Sequence, residues 1–270
     1  MKKKIVYCLF AILVFGIIIN GCGKKNDKSE KGNKDITIGS NIECSPFVND
    51  LIKDFNLNNK SNIKQENMSF AVAEQKIKDK KIDIFIGYEG IENKSIEKKL
   101  IAYDGIAIIV NKKNSLNTIN IEQLNKVYSG NITDWKEFNV GLDKILPISY
   151  ENTLDFNKLC LNQILKYPVK ETLTNKSIIV SDITSAKEKV ASSTNYIAFV
   201  PAMYLGSDTK TLLLNGVILQ NDSLDNELYP FKNGINFYYL KNNEYYKEIY
   251  EYIKSEDGKK IIKKHCSYIK

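Results

Sequence analysis

The chain contains no arginine; all 39 of its basic residues are lysine. That absence removes the planar, bidentate guanidinium that fits a carboxylate or a phosphate, and leaves ammonium groups that act as mobile point charges. Histidine is nearly absent too. His265 stands alone in a lysine-rich C-terminal segment, where a last-turn helix position beside the negative dipole end suits it better than a catalytic or ligand role. No G-x-S-x-G, no H-E-x-x-H and no Cys/His pair at usable spacing occurs, and a carboxylate pair for hydrolysis has no motif behind it, which argues against an enzyme. None of the five cysteines forms a C-x-x-C pair, so there is no zinc or redox signature and neither a metal nor a cofactor is expected. The net charge is +7. It is spread as lysines with acidic residues between them and no stacking motif, which argues against a nucleic-acid surface.

What the sequence does have begins with export. Lys2, Lys3 and Lys4 form a basic start, and residues 5–19 are almost wholly apolar. At roughly 1.5 Å per helical residue such a run spans about 22 Å, short of the ~30 Å hydrocarbon core, so residues 1–21 read as a signal peptide. Ile19-Asn20-Gly21-Cys22 has the form of a lipobox, with Cys22 as the cysteine acylated after cleavage. Plain secretory cleavage and an uncleaved anchor are the alternatives. Residues 22–35, rich in Gly, Lys, Asn and Ser, cannot bury enough surface to fold and read as a tether to the membrane. Loss of the three leader lysines leaves about +4. Of the remaining cysteines, Cys44, Cys160 and Cys266 are expected to be reduced and buried, with one disulfide and one free thiol as the alternative.

Apolar patterning runs from Ile36 to Ile269, enough for one bilobed unit or two small domains. A strand over 36–40 is followed by a loop ending at Ser45-Pro46, a cap and a first-turn proline, which predicts a helix to about 56 with Phe47, Val48, Leu51, Ile52 and Phe55 on one stripe. A helix over 69–80 leads into a buried strand over 82–87. The apolar strand 101–110, interrupted by Asp104-Gly105, is long enough to cross between lobes. Helices are predicted over 121–128, 155–165 and 185–191, and strands over 145–148, 177–180, 196–200 and 229–240. One amphipathic helix over 245–264 closes the chain. This alternation is the grammar of an α/β fold with functional loops at strand C-termini.

Several segments, in order, resemble one family. Tyr103-Asp104-Gly105-Ile106-Ala107-Ile108-Ile109-Val110-Asn111 is similar to a D-G-I-A-x-x-V-N crossover strand, and Tyr128-Ser129-Gly130-Asn131-Ile132-Thr133-Asp134-Trp135 to F-x-G-x-I-x-x-W. Tyr196-Ile197-Ala198-Phe199-Val200 looks like I-G-Y-V, Tyr229-Pro230-Phe231 like Y-P-L, and Ser255-Glu256-Asp257-Gly258-Lys259-Lys260-Ile261 like S-x-x-G-Q-x-x. The chain thus resembles the phosphate-type substrate-binding proteins of ABC importers. The resemblance implies a two-lobed type II periplasmic-binding-protein fold, each lobe a mixed sheet flanked by helices. Lobe 1 would take residues 36–105 and 206–270, and lobe 2 residues 106–205. Trp135 is expected to pack the core, and Asp104 and Gly105 to shape the hinge.

The ligand loops depart from that pattern. The family's G-S-T-S-V-x-P loop reads Gly39-Ser40-Asn41-Ile42-Glu43-Cys44-Ser45-Pro46 here, and its second loop reads Gly87-Tyr88-Glu89-Gly90. Its third, arginine-rich loop is shortened to Ser149-Tyr150-Glu151-Asn152-Thr153-Leu154-Asp155-Phe156. The resemblance implies that Ser40, Asn41, Ser45, Tyr88, Glu89, Glu151, Asn152 and Thr153 are the ligand residues of a small-solute site. Phosphate or another oxyanion, held by hydroxyls and helix N-termini, is one expectation. The acidic loop residues Glu43, Glu89, Glu151 and Asp155 support another, a cation or amine. The implied partner is an ABC permease, and the protein is expected to act as a membrane-anchored monomer. A sensory or adhesive surface lipoprotein without transport is the reading from a different class.

Overall fold

A computed structural model describes residues 35–268 apart from 60, 142–143, 167–169 and 244. The leader, Cys22 and most of the tether lie outside the described residues. Residues 35–270 form one compact unit, and no described helix is long and apolar enough to cross a membrane.

The chain runs β1 (Ile36–Ser40), α1 (Ser45–Asn59), β2 (Ile63–Asn67), α2 (Phe70–Lys78), β3 (Ile84–Tyr88), β4 (Ile96–Val110) and β5 (Thr118–Ile119). It continues through α3 (Ile121–Ser129), β6 (Leu146–Tyr150), α4 (Asp155–Ile164), β7 (Ile178–Val180), α5 (Ile183–Ser192) and β8 (Tyr196–Pro201). The short β9 (Lys210–Thr211), β10 (Leu213–Leu214) and α6 (Asn221–Asp225) precede β11 (Lys232–Leu240), α7 (Tyr246–Lys254), α8 (Glu256–His265) and β12 (Ser267–Tyr268). The main sheet has the order β2-β1-β3-β11-β4-β8-β6-β7. Strands β2, β1 and β3 are parallel, whereas β11 runs antiparallel to β3 and β4.

Strand β4 joins the two halves. Residues Ile96–Gly105 pair with β11, and Ile106–Val110 pair with β8. Every residue from Asp104 to Val110 is buried, as expected of a strand covered on both faces. The residue types explain the local choices. Helix α3 begins with an Asn120/Gln123 capping box and ends at Gly130 in a left-handed conformation (φ 83°), each satisfying backbone groups a helix end leaves open. Trp135 is fully buried against Phe138, ring centroids 5.9 Å apart. Cys44, Cys160 and Cys266 are free and buried. His265 is the last residue of α8, with Nε2 2.9 Å from the Asp50 carboxylate of α1.

Three features differ from the sequence reading. β2 was not foreseen: Ile-Lys-Gln-Glu-Asn has one buried residue, Ile63, because it is an edge strand. The closing helix is two helices, since Ser255 leaves the helical conformation (ψ 165°) and its hydroxyl accepts the Gly258 N–H as the cap of α8. Residues 210–214, where no strand was expected, form β9 and β10 beside the second half of β4 and β5. Thr211 pairs with Ile109, Leu213 with Thr118, and Leu212 N–H donates to the Ile108 carbonyl over 2.8 Å. Burial of Leu212 and Leu214 holds them there.

The α7–α8 junction gives a direct test. A Cβ at Gly258 would lie 2.2 Å from the Tyr252 carbonyl oxygen and 2.6 Å from that of Ile253, so backbone must shift. Gly258→Ala should destabilise the protein by about 1–3 kcal/mol, the usual range for overpacking, measured by urea unfolding; an unchanged midpoint would contradict the junction.

Candidate functional site

Three loops at the C-termini of parallel strands converge on one pocket of about 200 Å³. The β1–α1 loop contributes Asn41, Ile42 and Glu43, the β2–α2 loop Asn67, Met68 and Ser69, and the β6–α4 loop Thr153, Leu154 and Asp155. Each loop leads into a helix, so the N-termini of α1, α2 and α4 face a common space. No lysine is among the residues lining it.

The loops hold one another by their own side chains. Residues Ile42–Cys44 form a 3₁₀ turn that runs straight into α1 and carries Glu43 inward, where it is 2% exposed. The backbone N–H of Phe156, the second residue of α4, favours its charged form, while Oε1 has no partner. Asp155 meets the start of α2: its Oδ2 accepts the Phe70 N–H over 2.8 Å and the Asn41 Nδ2 over 3.2 Å. Asn41 Oδ1 in turn accepts the Tyr88 N–H at 3.1 Å. Asn67 Oδ1 accepts both the Ser40 and the Ser45 hydroxyls, at 3.0 and 2.8 Å. The carboxylates therefore occupy the helix ends that an external anion would otherwise occupy.

Burial shifts these acids upward. The Glu43 carboxyl is pushed up to about 7, chiefly by burial, with the charge of Asp155 adding to it and the Glu43 and Phe156 N–H groups opposing it. Asp155 is also raised by burial, against the Phe70 and Asn41 donors. Beneath the pocket Asp104 is 1% exposed and likewise reaches about 7 through burial. Its Oδ2 accepts the Tyr88 hydroxyl at 2.6 Å, and the Met203, Ala202 and Gly105 N–H groups also favour its charged form.

Of the eight residues expected at the site, Asn41 and Thr153 line the pocket. Ser40 and Ser45 stand one bond behind it, through Asn67. Tyr88 is fully buried on Asp104. Glu89 is exposed and paired with Lys98 Nζ at 2.6 Å, and Glu151 and Asn152 are exposed and do not line the pocket. The sequence reading left out Asn67, Met68 and Ser69, because the strand that delivers them was not recognised. Ser69 at the start of the foreseen helix was the available signal.

Glu43 and Asp104 make stability depend on pH in a stated direction. Both have folded-state values near 7, above the unfolded values of 4.5 and 3.8, so between those values the folded state binds more protons than the unfolded one. Their contribution is fully present below about pH 4, falls as pH rises to about 7, and is level beyond. Glu43→Gln should remove part of that fall, visible as a smaller loss of melting temperature between pH 5 and 8 than in the parent. An identical pH profile in the two proteins would show that Glu43 is not buried as described.

Comparison with known proteins agrees with the architecture. Residues 56–155 match the family model of the PBP superfamily domain. The phosphate-binding protein PstS of Bacillus subtilis is 24% identical over 289 aligned positions, covering 100% of this chain and 95% of that protein. A Clostridium perfringens structure, described as a phosphate ABC transporter substrate-binding protein with bound phosphate, superposes with a TM-score of 0.79 at 21% identity, covering 88% of this chain and 100% of the other. A reduced form of OxyR from N. meningitidis superposes with a TM-score of 0.61 at 15% identity, over 87% of this chain and 98% of that one. The chain thus has the two-lobed type II periplasmic-binding-protein fold and is similar, over most of its length, to phosphate-type ABC substrate-binding proteins.

Proposed function

We propose that this protein is a lipid-anchored, extracytoplasmic solute-binding protein that closes two lobes over a small polar solute and delivers it to an ABC permease. The observation that carries the reading is the pocket itself. It lies where helix N-termini from both sides of the β4 crossing meet, as a cleft ligand requires. Lobe 1 would hold residues 36–105 and the C-terminal part of the chain, with lobe 2 between them. The pairing of β9 and β10 supports a return crossing after residue 214. Three bonds then span the cleft: Asn41 to Asp155, Phe70 to Asp155, and the Tyr204 hydroxyl to the Ile42 carbonyl at 3.0 Å. Opening would break these three contacts and leave the hinge strands β4 and β11 intact.

The similarity to phosphate-binding proteins favours phosphate. Against it, two carboxylates and no basic side chain line this pocket, and each ionised carboxylate within 4 Å of an anion repels it by about 1–4 kcal/mol, depending on the effective dielectric.

Residues 35–270 form a compact unit with its own core, so this unit can be assayed alone. Screened against phosphate, sulfate, amino acids and small amines, it should show one class that raises the melting temperature and reduces the radius of gyration in small-angle X-ray scattering. A ligand at 100 times its Kd adds about 2.7 kcal/mol. Stabilisation without compaction would rule out closure, and no response to any solute would favour the sensory or adhesive reading. For the anchor, Cys22→Ser should move the full chain from the membrane fraction to the soluble fraction; retention in the membrane would argue for an uncleaved leader.

A further inference from the structure

Several of the donors that could coordinate an oxyanion in this pocket are already engaged within the protein, although the Ser69 and Thr153 hydroxyls on its wall are not among them. The N–H of Phe70 at the start of α2 and the amide of Asn41 bond to Asp155. The N–H of Phe156 near the start of α4 favours the charged form of Glu43. The hydroxyls of Ser40 and Ser45 both donate to Asn67 Oδ1. A buried acceptor is open as well. Glu43 Oε1 is buried, lines the pocket and has no hydrogen-bond partner, and a buried carboxylate oxygen without a donor costs stability that a ligand donor can recover. Asp155, half-exposed on the same wall, has its carboxylate 2.8–3.2 Å from its two donors and accepts no ion pair from a lysine among the described residues.

We infer that the solute of this pocket is a small alkylammonium compound, with its N–H groups donated to Glu43 Oε1 and to the Asp155 carboxylate. This rests on the solute-capture reading above and names the ligand class within it. The remaining walls fit: Ile42, Met68 and Leu154 present apolar surface to an alkyl chain, and the Thr153 hydroxyl stands at the rim. A volume of about 200 Å³, at about 30 Å³ per water-sized group, admits a solute of roughly half a dozen non-hydrogen atoms. An ammonium also offsets the charge of the two carboxylates, which no cation in the pocket lining pairs.

The test is isothermal titration of the 35–270 unit at pH 8 with ethylammonium and putrescine, against inorganic phosphate and sulfate. The amines should bind, and Glu43→Gln and Asp155→Asn should each weaken them at least tenfold. The double substitution should bind phosphate more tightly than the parent does, since freed helix N-termini then face an uncharged wall. Both changes are isosteric, and circular dichroism of each variant identifies any loss of fold. Parent protein that binds phosphate and neither amine would overturn the ammonium class while leaving solute capture intact. Amine binding unaffected by either substitution would place the amine elsewhere and overturn the assignment. If no member of the wider solute screen binds, both the ligand class and the solute-capture reading fail.

Discussion

One fifteen-residue strand carries the backbone hydrogen bonds of both halves of the sheet. β4 gives its first ten residues to β11 and its last five to β8, so a defect in it would uncouple the halves rather than loosen one of them. The change of partner falls beside Asp104, whose Oδ2 accepts the hydroxyl of Tyr88 at the end of β3. A buried acid is costly, and here the N–H groups of Gly105, and of Ala202 and Met203 just after β8, also favour its charged form. Gly105 is favoured by packing and not by its backbone angle, since a Cβ there would lie 2.3 Å from Leu219 Cδ1 and that side chain would have to move. The functional loops at the ends of β1, β2 and β6 keep their positions only because this strand fixes the two halves against each other.

What was legible in the sequence followed from burial and caps. β3 and the second half of β4 are continuous apolar runs, and they are fully covered. α3 carries both its start and its stop in the residues Asn120, Gln123 and Gly130. β2 was illegible because an edge strand with one buried residue has no period to detect. The break between α7 and α8 was hidden for the opposite reason. Ile249, Ile253 and Ile262 continue the apolar stripe across it, and only Ser255 three residues before Gly258 marks the cap. At the site, residue types were readable but partnerships were not. Asp155 and Phe70 are 85 positions apart and Asn41 and Asp155 are 114 apart, distances over which no local rule reports who will meet. Tyr88 and Glu89 illustrate the consequence: adjacent in sequence, one lies buried on Asp104 and the other sits on the surface with Lys98.

The absence of arginine and the engagement of the helix ends are two aspects of one electrostatic arrangement. A fold shared with OxyR and with a phosphate-bound transport protein does not determine what its cleft holds; the charge at the cleft does. Each helix N-terminus carries about half a positive charge. The ends of α1, α2 and α4 therefore supply about one and a half units between them, while Asp155 and Glu43 supply up to two negative ones. With the Glu43 carboxyl near 7, the pocket carries about half a positive unit when that proton is on and about half a negative unit when it is off. With Glu43 ionised, an arriving anion would enlarge the imbalance and find the Phe70 N–H already taken by Asp155. An arriving cation would meet the deficit at Glu43 Oε1, a buried oxygen of this pocket without a partner.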